Sequence, residues 1–416
     1  MAFTYPFRYV PDPRVEDAAR EFLRGDVSAF SEGKMMGVLI TDRGPLFAFS
    51  GLVGGKGVME GFVPPILDYS APDGYFRRRE AEISAMASGP GKSAASAALQ
   101  DWLFSEYRVM NGLGEELSIK EIFALRGLVP PGGTGECAAP KLLNYAFRNG
   151  LRPLAMGEFW VGRPSEKEVR EEGRFYPSCT GKCGPLLTWM LQGVDVDPNP
   201  LDAPYKGTEP SVIFSDDTLI VVSKPSRMLS VPGRTNADSL LEWLQARFGE
   251  VFSVHRLDMD TSGVMVYART LEASSELQRQ FENREVVKTY RARLSAGNEP
   301  FRHALKGTVA LPLMLDYYDR PRQIVSVEGK KAITEYEVLE VLPDGSLDVR
   351  FRPLTGRSHQ IRVHAAHVRG LGRPIIGDAL YGTPSSGPLL LRAESIEFRH
   401  PVSHAVLRFE SESNIR

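Results

Sequence analysis

Histidine is missing from the first 254 residues of this 416-residue chain; all seven lie between His255 and His404. Cysteine is nearly absent, with only Cys137, Cys179 and Cys183. So sparse and odd a set excludes a disulfide framework and points to a reducing compartment. No apolar run is long enough to cross a bilayer, so no membrane is expected. The opening Met1-Ala2-Phe3-Thr4-Tyr5-Pro6 lacks the charged and apolar regions of a secretory signal, and a cytoplasmic protein is expected. Charge of one sign is lacking too: 50 Lys and Arg face 52 Asp and Glu, a net charge of -2. Bulk charge therefore announces no nucleic acid, and any polyanion must be met by local clusters.

What is present is ordinary globular material, 42% apolar and 25% charged. A chain this long exceeds one typical core, so two domains are expected. The Pro- and Asp-rich stretch 193–211 has no periodicity and reads as a linker. It separates an N-terminal α/β domain, 1–200, from a domain spanning 209–416.

In the first half, Met35–Thr41 and Leu46–Ser50 flank a turn and predict a hairpin. From about Ala81 to Met110 the pattern is helical, broken at Gly89-Pro90-Gly91. Arg77-Arg78-Arg79 reads as a solvated face. Gly89-Pro90-Gly91-Lys92-Ser93 imitates the end of a phosphate loop, but Met86 stands where that pattern needs glycine. Cys137 and the pair Cys179/Cys183 each sit in a Gly/Pro loop leading into an apolar helical run. Two readings follow: three buried, reduced cysteines, which the residues alone favour, or a zinc site with water or Glu136 as fourth ligand. The layout resembles the zinc nucleobase deaminases, with two departures: the spacing is Cys-x3-Cys, and Ala139 stands two residues after the first cysteine.

The second half mixes helices and strands without strict βαβ alternation. An α+β domain with a mixed, largely antiparallel sheet and flanking helices is expected. Its hairpin 212–225 is followed by a helix at 239–248. Then comes Ser253-Val254-His255-Arg256-Leu257-Asp258-Met259-Asp260-Thr261-Ser262-Gly263, an acid in a turn before the apolar run Val264–Ala268. A helix near 271–283, strands at 288–294, 331–342 and 346–354, a helix at 358–368 and a final strand pair complete the reading. His359, His364 and His367 do not share one face of that helix, so no metal is expected in this domain.

Four stretches of this half, LIVVSKPSRMLSVPGR (219–234), HRLDMDTSG (255–263), Lys288-Thr289-Tyr290 and TGRSHQIRVH (355–364), occur in an order and spacing that resemble the RluA family of RNA pseudouridine synthases. Leu311-Pro312-Leu313, Asp316 and Arg320-Pro321 are similar to its RluA subgroup. Arg227 departs from the pattern, standing at a usual glycine.

The resemblance implies a pseudouridine synthase fold over 209–416 and an isomerase that flips uridines out of structured RNA, rRNA or a tRNA anticodon stem-loop, without a cofactor. It implies Asp258 as nucleophile, Tyr290 against the base and Arg362 as the carboxylate's counter-charge. Arg256, His255, Ile361, Lys224, Arg357 and His359 are the implied substrate-binding residues, and a monomer is expected. Basic residues near the motifs (Lys288, Arg291, Arg293, Arg320, Arg322, Lys330, Lys331, Arg350, Arg352, Arg357) suggest a phosphate-backbone channel.

Overall fold

A computed structural model describes residues 3, 5–7, 10–69, 74–163, 169–197, 207–233, 238–297, 301, 303–316, 319–382 and 387–411. The chain divides into two compact units. The first comprises Met1–Ser165, Arg170–Asn199 and Leu315–Arg322; the second, Glu166–Val169, Pro200–Met314 and Gln323–Arg416. Residues 198–206 of the expected linker, and Arg234 at the end of the first motif, lie outside the described residues. Among the described residues no helix is long and apolar enough to cross a membrane.

The first unit opens with helix α1 (Pro13–Arg24), whose Asp12 cap accepts from the Arg14 N–H while Pro13 sits where its missing N–H costs nothing. Strands β1 (Lys34–Thr41) and β2 (Gly44–Phe49) form the expected hairpin. Helices α2 (Tyr75–Ala85) and α3 (Pro90–Glu106) follow, the first beginning earlier than the sequence suggests. Arg77 and Arg79 pair with Glu80 and Glu82 along α2, and Lys92 turns back onto the carbonyls of Ser84 and Met86. Neither cluster presents a phosphate cradle.

A small ladder of β3 (Arg108–Met110) and β4 (Glu116–Ser118) precedes α4 (Ile119–Ala124) and α5 (Ala138–Arg148). Strand β5 (Pro153–Val161), not expected from the sequence, pairs antiparallel with β1 to give the order β2-β1-β5. Helix α6 (Cys183–Met190) closes the unit.

The second unit is built on a ten-stranded mixed sheet. Its path runs β11 (Lys306–Ala310), β14 (Ile333–Val341), β15 (Leu347–Pro353), β10 (Val287–Leu294), β16 (Leu391–Arg399), β9 (Ser262–Ala268), β7 (Leu219–Lys224) and β6 (Ser211–Ser215). Off that path, β8 (Phe252–Ser253) pairs with β9 and β17 (Val406–Glu410) with β16, while β12 (Leu313–Leu315) and β13 (Gln323–Val325) form a separate ladder. Helices α7 (Leu240–Phe248), α8 (Leu271–Glu282) and α9 (Gln360–Ala366) pack on it, the first two capped by Ser239 and Thr270.

Every pairing along this path is antiparallel except β9 with β16, whose ladder is limited to Ser262/Arg392 and Gly263/Ala393. A side chain at Gly263 would place Cβ 2.2 Å from the Ala393 carbonyl oxygen, and its φ of +114 favours glycine as well. This brief parallel contact joins two halves, each with its own core. One gathers β7, β9, α7 and α8; the other gathers β10, β14, β15 and α9. Tyr290, midway along β10, packs against both. The Asp258 turn enters from one half and α9 from the other, so the strand sequence itself brings them to the seam.

Candidate active site

The turn that carries Asp258 is fastened by residues 27 to 35 positions upstream. Ser230 Oγ donates to the Leu257 carbonyl at 2.8 Å and accepts from the Leu257 N–H at 3.0 Å. Ser226 Oγ donates to the Asp260 carbonyl at 2.7 Å. Lys224 Nζ reaches the carbonyls of Pro225, Met228 and Met259 at 2.9, 2.7 and 3.0 Å. Burial pushes the Lys224 amine down, to about 7, while the charges of Asp260 and Asp258 oppose that fall. Lys224 is thus a positioning group under the turn. It is not among the residues that line the cleft, and its three donors are committed to backbone. Arg227, at the usual glycine of this cradle, adopts φ 68, the left-handed conformation that costs a non-glycine residue about 1–2 kcal/mol.

Above the turn, the Asp258 side chain is 23% exposed, and its Oδ2 lies 3.8 Å from Arg362 Nη1. Arg362 is buried on α9, and its other edge forms two hydrogen bonds with Asp378, 2.8 and 2.6 Å long. Asp378 also accepts from the N–H groups of Leu380 and Tyr381. A planar guanidinium gripped along one edge presents its remaining nitrogen in a fixed direction, toward Asp258. Asp378 lies 14 residues past the last of the four motifs, and the sequence alone assigns it no part in the site.

His359 approaches from the same side, Nε2 4.0 Å from Asp258 Oδ2, in a left-handed conformation at the cap of α9. Its Nδ1 meets Tyr381 Oη at 2.8 Å, and that oxygen accepts from the Gln323 N–H. The loop before α9 is fixed by Gln360, whose Oε1 accepts from Thr355 Oγ1 and the Arg357 N–H and whose Nε2 donates to the Ile333 carbonyl. His364 Nε2 bonds the Leu311 carbonyl and His367 Nδ1 accepts from the Arg369 N–H, so both rings anchor α9.

Around Asp258 opens a cleft of about 660 Å³. His255, Arg256, Tyr290, Arg357, His359, Ile361 and Arg362 all line it, so of the implied site residues only Lys224 stands outside. Burial, reinforced by the Asp258 charge, holds the Tyr290 hydroxyl well above the usual phenol range, so it stays protonated at neutral pH. His255 accepts the Val266 N–H on Nε2 at 3.1 Å and stacks on Phe281. Burial and then Lys288 push its pKa down, to about 3. It is a neutral ring with its proton on Nδ1.

Arg256, Arg284, Lys288, Arg352, Arg357 and Arg362 line the cleft against only Asp258 and Glu282. In a chain of net charge -2 this is a local cationic site. The basic channel is narrower than the sequence suggests. Arg291 is held by Asp348 and Glu394, and Arg350 by Glu394 and Glu337.

In the first unit the three cysteines come together, their sulfurs all within 4.8 Å of one another. Glu136, the other suggested zinc ligand, is not in that group, and its carboxylate hydrogen-bonds Tyr69 instead.

The RNA pseudouridylate synthase family profile matches residues 218–367. Among curated relatives, the dual-specificity RNA pseudouridine synthase RluA of Escherichia coli K12 is 44% identical over 207 residues, 48% of this chain and 91% of that one. The protein of the same name from Yersinia pestis is 43% identical over 211 residues, 49% of this chain and 98% of that one. A solved structure, human RNA pseudouridylate synthase domain containing 1, is 24% identical, with a TM-score of 0.43 over 50% of this chain and 86% of that one.

Proposed function

The chain belongs to the RluA family of RNA pseudouridine synthases, isomerases acting on RNA, and from that premise we propose that its cleft isomerises uridines of structured RNA with Asp258 as the nucleophile. The observation that carries the assignment is the pairing of a partly exposed Asp258 carboxylate with a buried, pre-oriented Arg362 at 3.8 Å inside a cationic cleft. The guanidinium is a fixed counter-charge facing the carboxylate.

Isomerisation conserves every atom and needs no external oxidant or cofactor. The N-glycosidic bond breaks, the base turns, and a C–C bond forms from C5 to the sugar, while the C5 proton leaves and the ring nitrogen is left protonated. Asp258 attacks as nucleophile or initiates elimination at the sugar. A stacked base cannot reach it, so the nucleotide must be flipped into the cleft. Tyr290 and Ile361 are the apolar walls for the base, and the protonated Tyr290 hydroxyl suits a proton relay rather than a free phenolate base. Arg256, exposed on the rim, fills the gap the flipped nucleotide leaves. Arg357, Arg284 and Lys288 contact phosphates.

The relatives are named as dual-specificity RNA enzymes, which supports two RNA substrates; structured tRNA and rRNA, met in the cytoplasm, are the pair proposed. The test is Asp258→Asn. Pseudouridine mapping of total RNA from cells carrying the variant should lack the sites present with the wild-type gene, while purified Asp258→Asn keeps its affinity for those RNAs. Turnover surviving the substitution would remove Asp258 from the mechanism. A map unchanged by deletion of the gene would favour a binding factor on the same fold.

A further inference from the structure

Three thiols in the first unit take no part in the chemistry above. Cys137 caps α5, yet its side chain makes no capping hydrogen bond. Cys183 is the first residue of α6, and Cys179 lies in the loop before it. Backbone N–H groups of Lys182 and Cys183 donate to the Cys179 sulfur. All three are free thiols, and their sulfurs lie within 4.8 Å of one another although Cys137 comes from a separate loop.

Tetrahedral zinc with Zn–S bonds of about 2.3 Å sets sulfurs roughly 3.8 Å apart, so at most a contraction of about an ångström separates this cluster from a ligand set. A disulfide between any two would leave the third without a covalent partner. Soft sulfur ligands favour zinc over the hard cations that prefer oxygen.

The carboxylates nearby are already engaged. Glu158, on β5, accepts the Ala139 N–H on Oε1 at 3.2 Å and the Ser178 hydroxyl on Oε2 at 2.5 Å. It ties the Cys137 loop to the Cys179 loop, which is how an outer carboxylate orders a metal site without ligating it. Glu136 is turned to Tyr69. Among the described residues no fourth Cys, His, Asp or Glu joins the group. Cys137 and Cys179 are half-buried as residues and Cys183 is buried.

We propose that Cys137, Cys179 and Cys183 bind one zinc ion as thiolates, with water in the fourth position. On binding, the three thiol protons leave to solvent. Three protein ligands and one exchangeable position is the ligand count of zinc centres that activate water, rather than of closed structural sites. The site is independent of the RNA cleft and stands or falls separately from it.

The full chain, purified without chelators, should hold about one zinc per chain by elemental analysis. After chelation, titration with Co2+ alone should give thiolate-to-cobalt charge-transfer absorption, and added azide should shift the cobalt spectrum. Cys137→Ser, Cys179→Ser and Cys183→Ser should each retain zinc at least about tenfold more weakly, with circular dichroism reporting whether the variant is folded. Glu136→Gln should keep full zinc content. A folded wild-type chain that takes up neither Zn2+ nor Co2+, an iron–sulfur chromophore, or a Cys–Cys disulfide in the freshly isolated protein would each overturn the proposal. A cobalt spectrum indifferent to azide would overturn the open position.

Discussion

At the scale of single residues, the candidate site depends on which carboxylate Arg362 holds and which it faces. Asp378 is fully buried and takes the guanidinium's edge, and Asp258 is left as the partly exposed carboxylate that we propose reacts. Asp378→Asn keeps the shape but removes the buried negative charge, so Arg362 loses its anchor and is drawn to Asp258. Breaking one side of a buried pair costs about 3–5 kcal/mol, so a fall of that size in the urea-unfolding free energy is expected. Turnover should fall by as much as about hundredfold, as a displacement of about 1 Å commonly costs, with KM changing far less. A variant that loses stability but keeps its turnover would show that Asp378 supports only the fold. Asp258 and Arg362 could be named from motif order, whereas Asp378 could not: an acid after glycine reads as a turn residue until its partner is seen. The burial of Lys224 was equally illegible. Lysine is almost never fully buried, so a lysine beside a motif reads as a surface cation, and only the structure shows three carbonyls below the Asp258 turn.

At the scale of elements, legibility followed local signals. Capping serines and threonines before α7 and α8, and the alternating or continuous apolar runs of β7, β9 and β10, placed those elements nearly where they lie. Short strands such as β11, β12 and β13, and the pairing of β5 with β1, depend on distant partners and carry little periodicity. The seam between β9 and β16 belongs here too, since no local pattern announces a parallel contact two residues long. His255 links this seam to the helices, accepting from Val266 on β9 and stacking on Phe281 of α8. Its folded pKa is pushed from the usual 6.5 down to about 3. Between those values the unfolded chain carries a proton that the folded chain refuses, so stability falls as pH drops, by at most about 1.4 kcal/mol per pH unit. Urea midpoints measured at pH 7.5, 6.5 and 5.5 should decline for the wild type and decline less for His255→Gln. His364, pushed down to about 4 by burial, contributes a parallel decline in both proteins. Identical slopes would mean that His255 is protonated equally in both states.

At the scale of the whole molecule, near-neutral charge has to be reconciled with a polyanionic substrate. Net charge of -2 supplies no long-range attraction. Affinity must therefore come from cations that face the cleft without a carboxylate partner among the described residues, which distinguishes Arg284 and Arg357 from equally basic neighbours on the sheet. Arg350 lies between Glu337 and Glu394, and its charge is largely cancelled before RNA arrives. Each phosphate contact releases condensed counterions, so the logarithm of the binding constant falls linearly with the logarithm of salt, by about 0.7–0.9 per contact. The double variant Arg284→Ala/Arg357→Ala should weaken RNA binding at low salt and flatten that slope by about 1.5. Arg350→Ala should leave the slope where it was. Filter-binding titrations from about 50 to 200 mM salt would separate the two. Equal flattening by both variants would mean that the RNA backbone runs across the sheet, as the run of basic residues in the sequence suggests, and not through the cleft around Asp258.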